Sequence, residues 1–148
     1  MTTVEHERDG YVISTDEARL DVDMIHTFLS ESSYWARGRP LDATQRAVEH
    51  SLCFGVYKDG QQVGLARVVT DYATFAWLCD VFVVEAHRGR GLGKWLIESV
   101  VAHPDLEKLL FSLATRDAHG LYRRYGGFEA MAHPERWMLR PRERNTDE

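Results

Sequence analysis

Long apolar runs are missing from this sequence. No stretch approaches the ~20 consecutive apolar residues that a membrane-spanning helix needs, so no membrane segment is expected. Cysteine is scarce. The two present, Cys53 and Cys79, both lie in apolar runs. That excludes a disulfide framework and a thiolate metal cluster, and predicts two small buried hydrophobes. Such usage fits a reducing compartment, and a cytoplasmic location is expected. Neither sign of charge dominates: 18 Lys and Arg against 23 Asp and Glu leave a net −5, with no block of one sign. A nucleic-acid binder that draws its affinity from a broad basic face is therefore not expected. The seven histidines show no ligand spacing, so no metal is expected. The first ten residues lack a basic start and an apolar middle, and do not read as a signal peptide. No internal repeat or Pro-, Gly- or Ser-rich linker breaks the chain.

What is present suffices for a core. Of 148 residues, 44% are apolar and 11% aromatic, the size and make-up of one compact domain. We read a single domain over 1–148, with its core at about 11–139, a polar N-terminal lead and a charged tail. Residues 11–14 read as a short strand. Asp21 can cap a helix that places Val22, Ile25, Phe28 and Leu29 on one face. Asp42 and Gln45 resemble a capping pair for a second helix toward Glu49. Residues 53–58 and 62–70 read as two strands joined at Asp59-Gly60, a strong hairpin signal. The run 76–84 is apolar apart from Asp80, as in a strand buried on both faces. A helix over 91–102 leads to another apolar run, 109–114. Strand, helix and strand in that order form a βαβ unit with parallel strands. A short helix over 120–125 and a weak last strand at 137–139 complete the pattern. The expected fold is α/β of mixed α+β type: a twisted sheet with antiparallel strands first, a parallel βαβ unit after, and helices on both faces.

The most informative segment is Arg88-Gly89-Arg90-Gly91-Leu92-Gly93-Lys94, which follows the buried strand and opens the helix. The first N–H groups of a helix lack internal partners and carry the positive end of its dipole. Glycines let that backbone come close to a bulky anion, and Arg88, Arg90 and Lys94 add positive charge. The ligand so described is a phosphate or pyrophosphate. A Walker A loop fails, because Arg88 stands where its first glycine is required and Trp95 replaces the Ser or Thr. A dinucleotide fingerprint fails too, at Lys94 or Leu96.

The remaining pattern, Arg88-x-x-Gly91-x-Gly93, is similar to the acetyl-CoA-binding signature of the GNAT acetyltransferase superfamily. A second segment, Leu121-Tyr122-Arg123-Arg124-Tyr125-Gly126-Gly127-Phe128, resembles the family's late Leu-Tyr-x-x-x-Gly-Phe motif. Four residues separate Tyr122 from Gly127-Phe128 where the family has three. The register of Leu121-Tyr122 makes Tyr122, rather than Tyr125, the expected sulfur-facing residue.

The resemblance implies acetyl-CoA as co-substrate, with no metal. Its pyrophosphate would rest on the backbone of Gly89, Arg90, Gly91, Leu92, Gly93 and Lys94. Its pantetheine arm would pair with the backbone of Phe82 and Val83. The Val83 N–H would polarise the thioester carbonyl, and Tyr122 would protonate the leaving thiolate. The acceptor would be a primary amine on a small molecule or a peptide, attacking directly in a ternary complex. Tyr34 and Trp35, in the loop after the first helix, and Arg67 are candidate substrate contacts. Asp80 has two readings: a general base near the cleft, or a structural partner of Arg67 or another nearby cation. Members of the family often pair, so a homodimer is a further expectation. Two rival readings share the CoA affinity: a sensor module that binds the cofactor without turnover, and a transferase for a longer acyl-CoA.

Overall fold

The computed structural model describes residues 2–142. Six strands lie side by side in chain order: β1 (Glu5–Arg8), β2 (Tyr11–Ser14), β3 (Leu52–Lys58), β4 (Gln61–Thr70), β5 (Phe75–Val83) and β6 (Leu110–Leu113). Every neighbouring pair is antiparallel except β5 and β6, which are parallel. Helices α1 (Val22–Ser32) and α2 (Leu41–Glu49) fall between β2 and β3. Helix α3 (Leu92–Val101) crosses from β5 to β6, and α4 (His119–Gly126) follows β6. This is the mixed α/β sheet that the order of elements predicts.

Local chemistry accounts for the element boundaries. Asp59 and Gly60 both take left-handed backbone angles, φ 49° and 78°, as the tight turn between β3 and β4 demands. Asp9 and Gly10 do the same, at φ 53° and 81°. They make a strand, β1, of what the hydrophobic pattern leaves as a polar lead. The Asp21 carboxylate accepts the Met24 N–H at 3.1 Å and caps α1. Helix α2 begins at Leu41, with Pro40 as its first flanking residue. Asp42 is thus inside the first turn, where it accepts the Ala43 N–H and faces the positive end of the helix dipole. The expected strand at 137–139 does not form. A turn at Pro134–Arg136 precedes it, and Met138 and Leu139 are exposed.

Strand alternation sends neighbouring side chains into two cores on opposite faces of the sheet. Phe54, Val56, Ala66 and Val68 pack with Trp95, Leu96 and Val100 of α3. Cys53, Leu65 and Phe82 pack with Ile25 and Leu29 of α1 and Val48 of α2. Each large apolar side chain buried this way contributes about 1.5–3 kcal/mol.

The feature that positions the site is a fork in the sheet. Parallel pairing runs from Phe75 opposite Leu110 to Leu78 opposite Leu113 and stops, while β5 continues to Val83. Against β4, Arg67 faces Cys79 and Leu65 faces Phe82. Strand β5 therefore carries one extra residue there, a bulge at which Asp80 adopts φ 48°. Bulges bend and twist the strand that holds them. Gly64 allows the close approach on the other side: a Cβ there would lie 2.8 Å from the Phe82 carbonyl oxygen. Among the described residues, no helix is long and apolar enough to cross a membrane, and no group of His, Cys, Asp and Glu could hold a metal ion.

Candidate active site

Of the last residues of β5, Val83 alone presents backbone groups toward the gap; the Phe82 backbone, expected from the sequence to pair with a pantetheine arm, turns toward β4 instead. The Phe82 carbonyl faces Gly64 on β4, and the Val84 N–H donates to the Val63 carbonyl at 2.9 Å. Extended chain alternates, so the Val83 N–H and C=O face the opposite, unpaired side. The Val83 carbonyl accepts a hydrogen bond from Arg88 Nε at 2.9 Å. The Arg88 guanidinium therefore rests on the end of the strand, and the Val83 N–H faces the fork. The Phe82 side chain is buried in the core and stacks on Phe28 of α1, ring centroids 3.9 Å apart.

The glycine turn then opens α3. Gly91 flanks the helix start at φ 77°, no side chain caps it, and its first turn holds no acidic residue. Gly93 is helical, yet a Cβ there would meet nothing within 4 Å. Crowding within the protein thus gives no reason for glycine at 93, whereas a bulky group lying on the helix start would. Gly89, Arg90, Gly91 and Lys94 are exposed around this start. Arg8, Tyr11, Arg90 and Trp95 surround a hollow of about 170 Å³ beside Gly91. Tyr11 also binds His87 Nδ1 at 2.7 Å, tying β2 to the turn.

Helix α4 brings Tyr122 to an open groove of about 580 Å³, which it lines with Leu113, Thr115 and His119. Burial pushes the Tyr122 phenol up to about 12, with Tyr34 and Asp117 adding to the effect. The hydroxyl makes no hydrogen bond to another described residue and keeps its proton throughout the physiological range. Tyr125 points its ring elsewhere: Lys94 Nζ of α3 lies 5.4 Å from its centroid.

The loop between α1 and α2 bridges the two arms of the fork. The Arg116 guanidinium, beyond β6, stacks 3.8 Å from the Tyr34 ring centroid, and the Arg116 N–H donates to the Tyr34 hydroxyl at 3.3 Å. Tyr34 meets Trp35 edge-on, and Trp35 Nε1 donates to Asp80 at 2.8 Å. The same carboxylate accepts Arg39 Nη1 and Arg67 Nε, each at 2.8 Å. Burial raises the Asp80 pKa, but Arg67 and Arg39 outweigh it and hold the carboxyl below its ordinary value. The structural partnership with Arg67 is therefore present, and Arg67 also reaches Ser51 at 3.0 Å. Its guanidinium is committed inside the protein rather than turned to the groove. Arg39, in the same aromatic and basic loop as Tyr34 and Trp35, is the further nearby cation that the structural reading of Asp80 allows for, whereas the sequence does not single out Arg116. A lone buried carboxylate signals a need for more than one cation; nothing signals Arg116.

Comparison with known proteins agrees with this architecture. The profile of the acetyltransferase (GNAT) family matches residues 22–128. A relative from Gibberella zeae, named "Putative acetyltransferase", is 34% identical over 138 residues, covering 78% of this chain and 77% of its own. A crystal structure from Xanthomonas campestris pv. campestris, named in the same terms and as a GNAT member, is 53% identical with a TM-score of 0.87. It spans 91% of this chain and 95% of its own. A crystal structure from Clostridium acetobutylicum, named as a "predicted acetyltransferase with acetyl-CoA", shares the fold at 12% identity, with a TM-score of 0.64 over 88% of this chain and 94% of its own. The chain belongs to the GNAT acetyltransferase family, and it is an acyltransferase enzyme.

Proposed function

We propose that this protein transfers the acetyl group of acetyl-CoA to a primary amine by direct attack in a ternary complex. The observation that carries the reading is the unpaired end of β5 running straight into an uncapped, glycine-lined helix start. That end leaves the Val83 N–H open to an extended amide-bearing arm, as an added strand would use, while Arg88 holds the Val83 carbonyl. The helix start offers free N–H groups and dipole to a pyrophosphate. Open space over Gly93 fits a group of that bulk, and Arg8 and Arg90 supply positive charge at the nucleotide end.

Acetyl-CoA supplies the activated acyl group. The Val83 N–H donates to the carbonyl oxygen as negative charge develops there, an electrostatic role that needs no side chain. Tyr122, kept protonated by burial, donates to the departing sulfur. Tyr34 and Trp35 wall the acceptor side. Asp80 is assigned as the anchor of that wall rather than as the base: a carboxylate held by two arginines and an indole has little basicity to offer. The acceptor's ammonium, of ordinary pKa ~10, first gives up a proton to water, and the neutral amine then attacks.

The test pairs binding with turnover. Calorimetric titration of CoA should give heat with the wild type, and at least roughly tenfold weaker binding with Gly93→Glu. Equal affinity would show the helix start to be misassigned. Thiol release from acetyl-CoA across a panel of small amines and peptides should then find an acceptor. Binding without release for any amine would favour a sensor, and faster release with longer acyl chains would favour another acyl donor.

A further inference from the structure

We propose that the acceptor amine carries an anionic group, a carboxylate or a phosphate, and that the Arg116 guanidinium receives that group at the mouth of the fork. The inference rests on the acyl-transfer reading and narrows its acceptor from any primary amine to an anionic one.

Arg116 is placed by its neighbours rather than by a charge partner. Its guanidinium lies on the Tyr34 ring, 3.8 Å from the centroid. Its backbone N–H donates to the Tyr34 hydroxyl at 3.3 Å. The side chain is nevertheless 65% exposed. Among the described residues, the one carboxylate in ion-pair range is that of Asp117, at 3.8 Å and itself 67% exposed. That separation is too long for a hydrogen bond. A guanidinium stacked by its face keeps its N–H donors pointing outward in one plane. Such a fork matches the paired oxygens of a carboxylate or a phosphate. Because the ring already fixes the plane, little side-chain freedom is left to lose when an anion docks.

The position is close to the reacting atoms. Tyr34, under the guanidinium, and Asp117, next in the chain, both lie near enough to Tyr122 to help raise its phenol. From Tyr34 the bridge continues inward to Trp35 and Asp80. A molecule anchored on Arg116 therefore reaches toward Tyr122 with the rest of its length, so its nitrogen and its anion need be only a few bonds apart.

Charge along the bridge favours the same occupant. Arg39 and Arg67 both hold Asp80, and Arg116 and Asp117 add one charge of each sign at the outer end. Three arginines thus stand against two carboxylates, and Arg37 of the same loop is exposed. A cationic amine without an anion meets repulsion here, whereas an anion is drawn in. Positive surroundings also disfavour the ammonium form of a bound amine. They promote the neutral nitrogen that attack requires.

The test uses matched acceptors that differ only in the anion. Thiol release from acetyl-CoA is measured with the α-amino acids, β-alanine and phosphoethanolamine, each beside its uncharged counterpart: the amino-acid amides, β-alaninamide and ethanolamine. At least one anionic amine should exceed its counterpart in kcat/KM by roughly tenfold or more. Arg116→Gln should erase that ratio by slowing the anionic acceptor alone, and Arg116→Lys should restore part of it. Whether an amino acid or phosphoethanolamine responds identifies the anion as carboxylate or phosphate. A second arm needs no turnover. Calorimetric titration of the N-acetyl derivatives of the same anionic amines into protein saturated with CoA should give heat with the wild type, and roughly tenfold weaker binding with Arg116→Gln. The proposal is overturned if matched neutral amines react equally well, or if the N-acetyl anions bind both proteins alike or neither. It is also overturned if Arg116→Gln slows both members of a pair to the same extent, as a merely structural loss of the Tyr34 contact would. No CoA binding and no thiol release with any amine would refute the acyl-transfer reading itself, and the proposal with it.

Discussion

Replacing Asp80 by Asn separates an anchoring carboxylate from a catalytic one. The Asp80 side chain is 1% exposed, and its partners Arg39 and Arg67 are 18% and 13% exposed. The amide keeps the volume and one acceptor oxygen but removes the charge between two guanidinium groups. Breaking a buried ion pair by neutralising one partner costs about 3–5 kcal/mol. Both arginines keep some contact with water, so the lower end applies, about 3 kcal/mol. For a chain of this size ~1 kcal/mol moves Tm by ~3 °C, giving a fall of ~10 °C at neutral pH by scanning calorimetry. The pH dependence adds a second signature. The folded pKa of Asp80 lies below its unfolded value. Its contribution is therefore fully present above the unfolded pKa of ~4 and is lost as pH falls through the folded value. The gap between wild type and variant should hold from pH ~8 to ~5 and narrow below ~4. A fall of less than ~2 °C, or a gap that persists undiminished to the most acidic pH at which both proteins fold, refutes the anchor. The acid limb of the variant's pH–rate profile should match the wild type; its disappearance would restore Asp80 as the base.

Further outcomes follow from the same geometry. Tyr122→Phe should lower kcat by up to ~10²–10⁴-fold without changing CoA affinity, because it removes only acid–base help; Tyr125→Phe should leave kcat near wild type. Since the Tyr122 phenol is pushed up to about 12, kcat should show no loss on its account up to pH ~10, and an alkaline fall below that pH which vanishes in Tyr122→Phe would contradict the assignment. Gly93→Glu should melt at or above the wild-type temperature, since Glu exceeds Gly in helix propensity by ~0.5–1 kcal/mol and a Cβ there meets nothing; a marked fall in Tm would mean that the site is packed. Burial pushes the Cys53 thiol up to about 12 and Cys79 to about 11, so iodoacetamide at pH ~8 should label both only after unfolding.

The sequence carried most of the scaffold because the scaffold is periodic. Alternation in β3 and β4, the Asp59-Gly60 turn, the Asp21 cap and the apolar stripe of α3 each announce themselves locally. Strand β1 did not, because its residues are all polar and exposed, although Asp9-Gly10 carried the same turn signal as Asp59-Gly60. The segment 137–139 showed a strand's apolar character but found no partner within the described chain. The glycine-lined, uncapped start of α3 was legible because its residues are consecutive. The loop contacts were not. Arg39 and Trp35 reach Asp80 from more than forty positions away, and Arg116 reaches Tyr34 from 82. Such pairings depend on how the helices settle on the sheet, which no local pattern encodes.

The additional residue in β5 has a consequence for how such an enzyme could be altered. With one residue fewer at position 80 or 81, the strand could follow a regular ladder, and β6 could zip alongside it past Leu113. The gap proposed for the acyl donor's arm would then be closed by main-chain hydrogen bonds. On that view the opening is a topological property of the backbone, and changes of side chain can tune it but not abolish it.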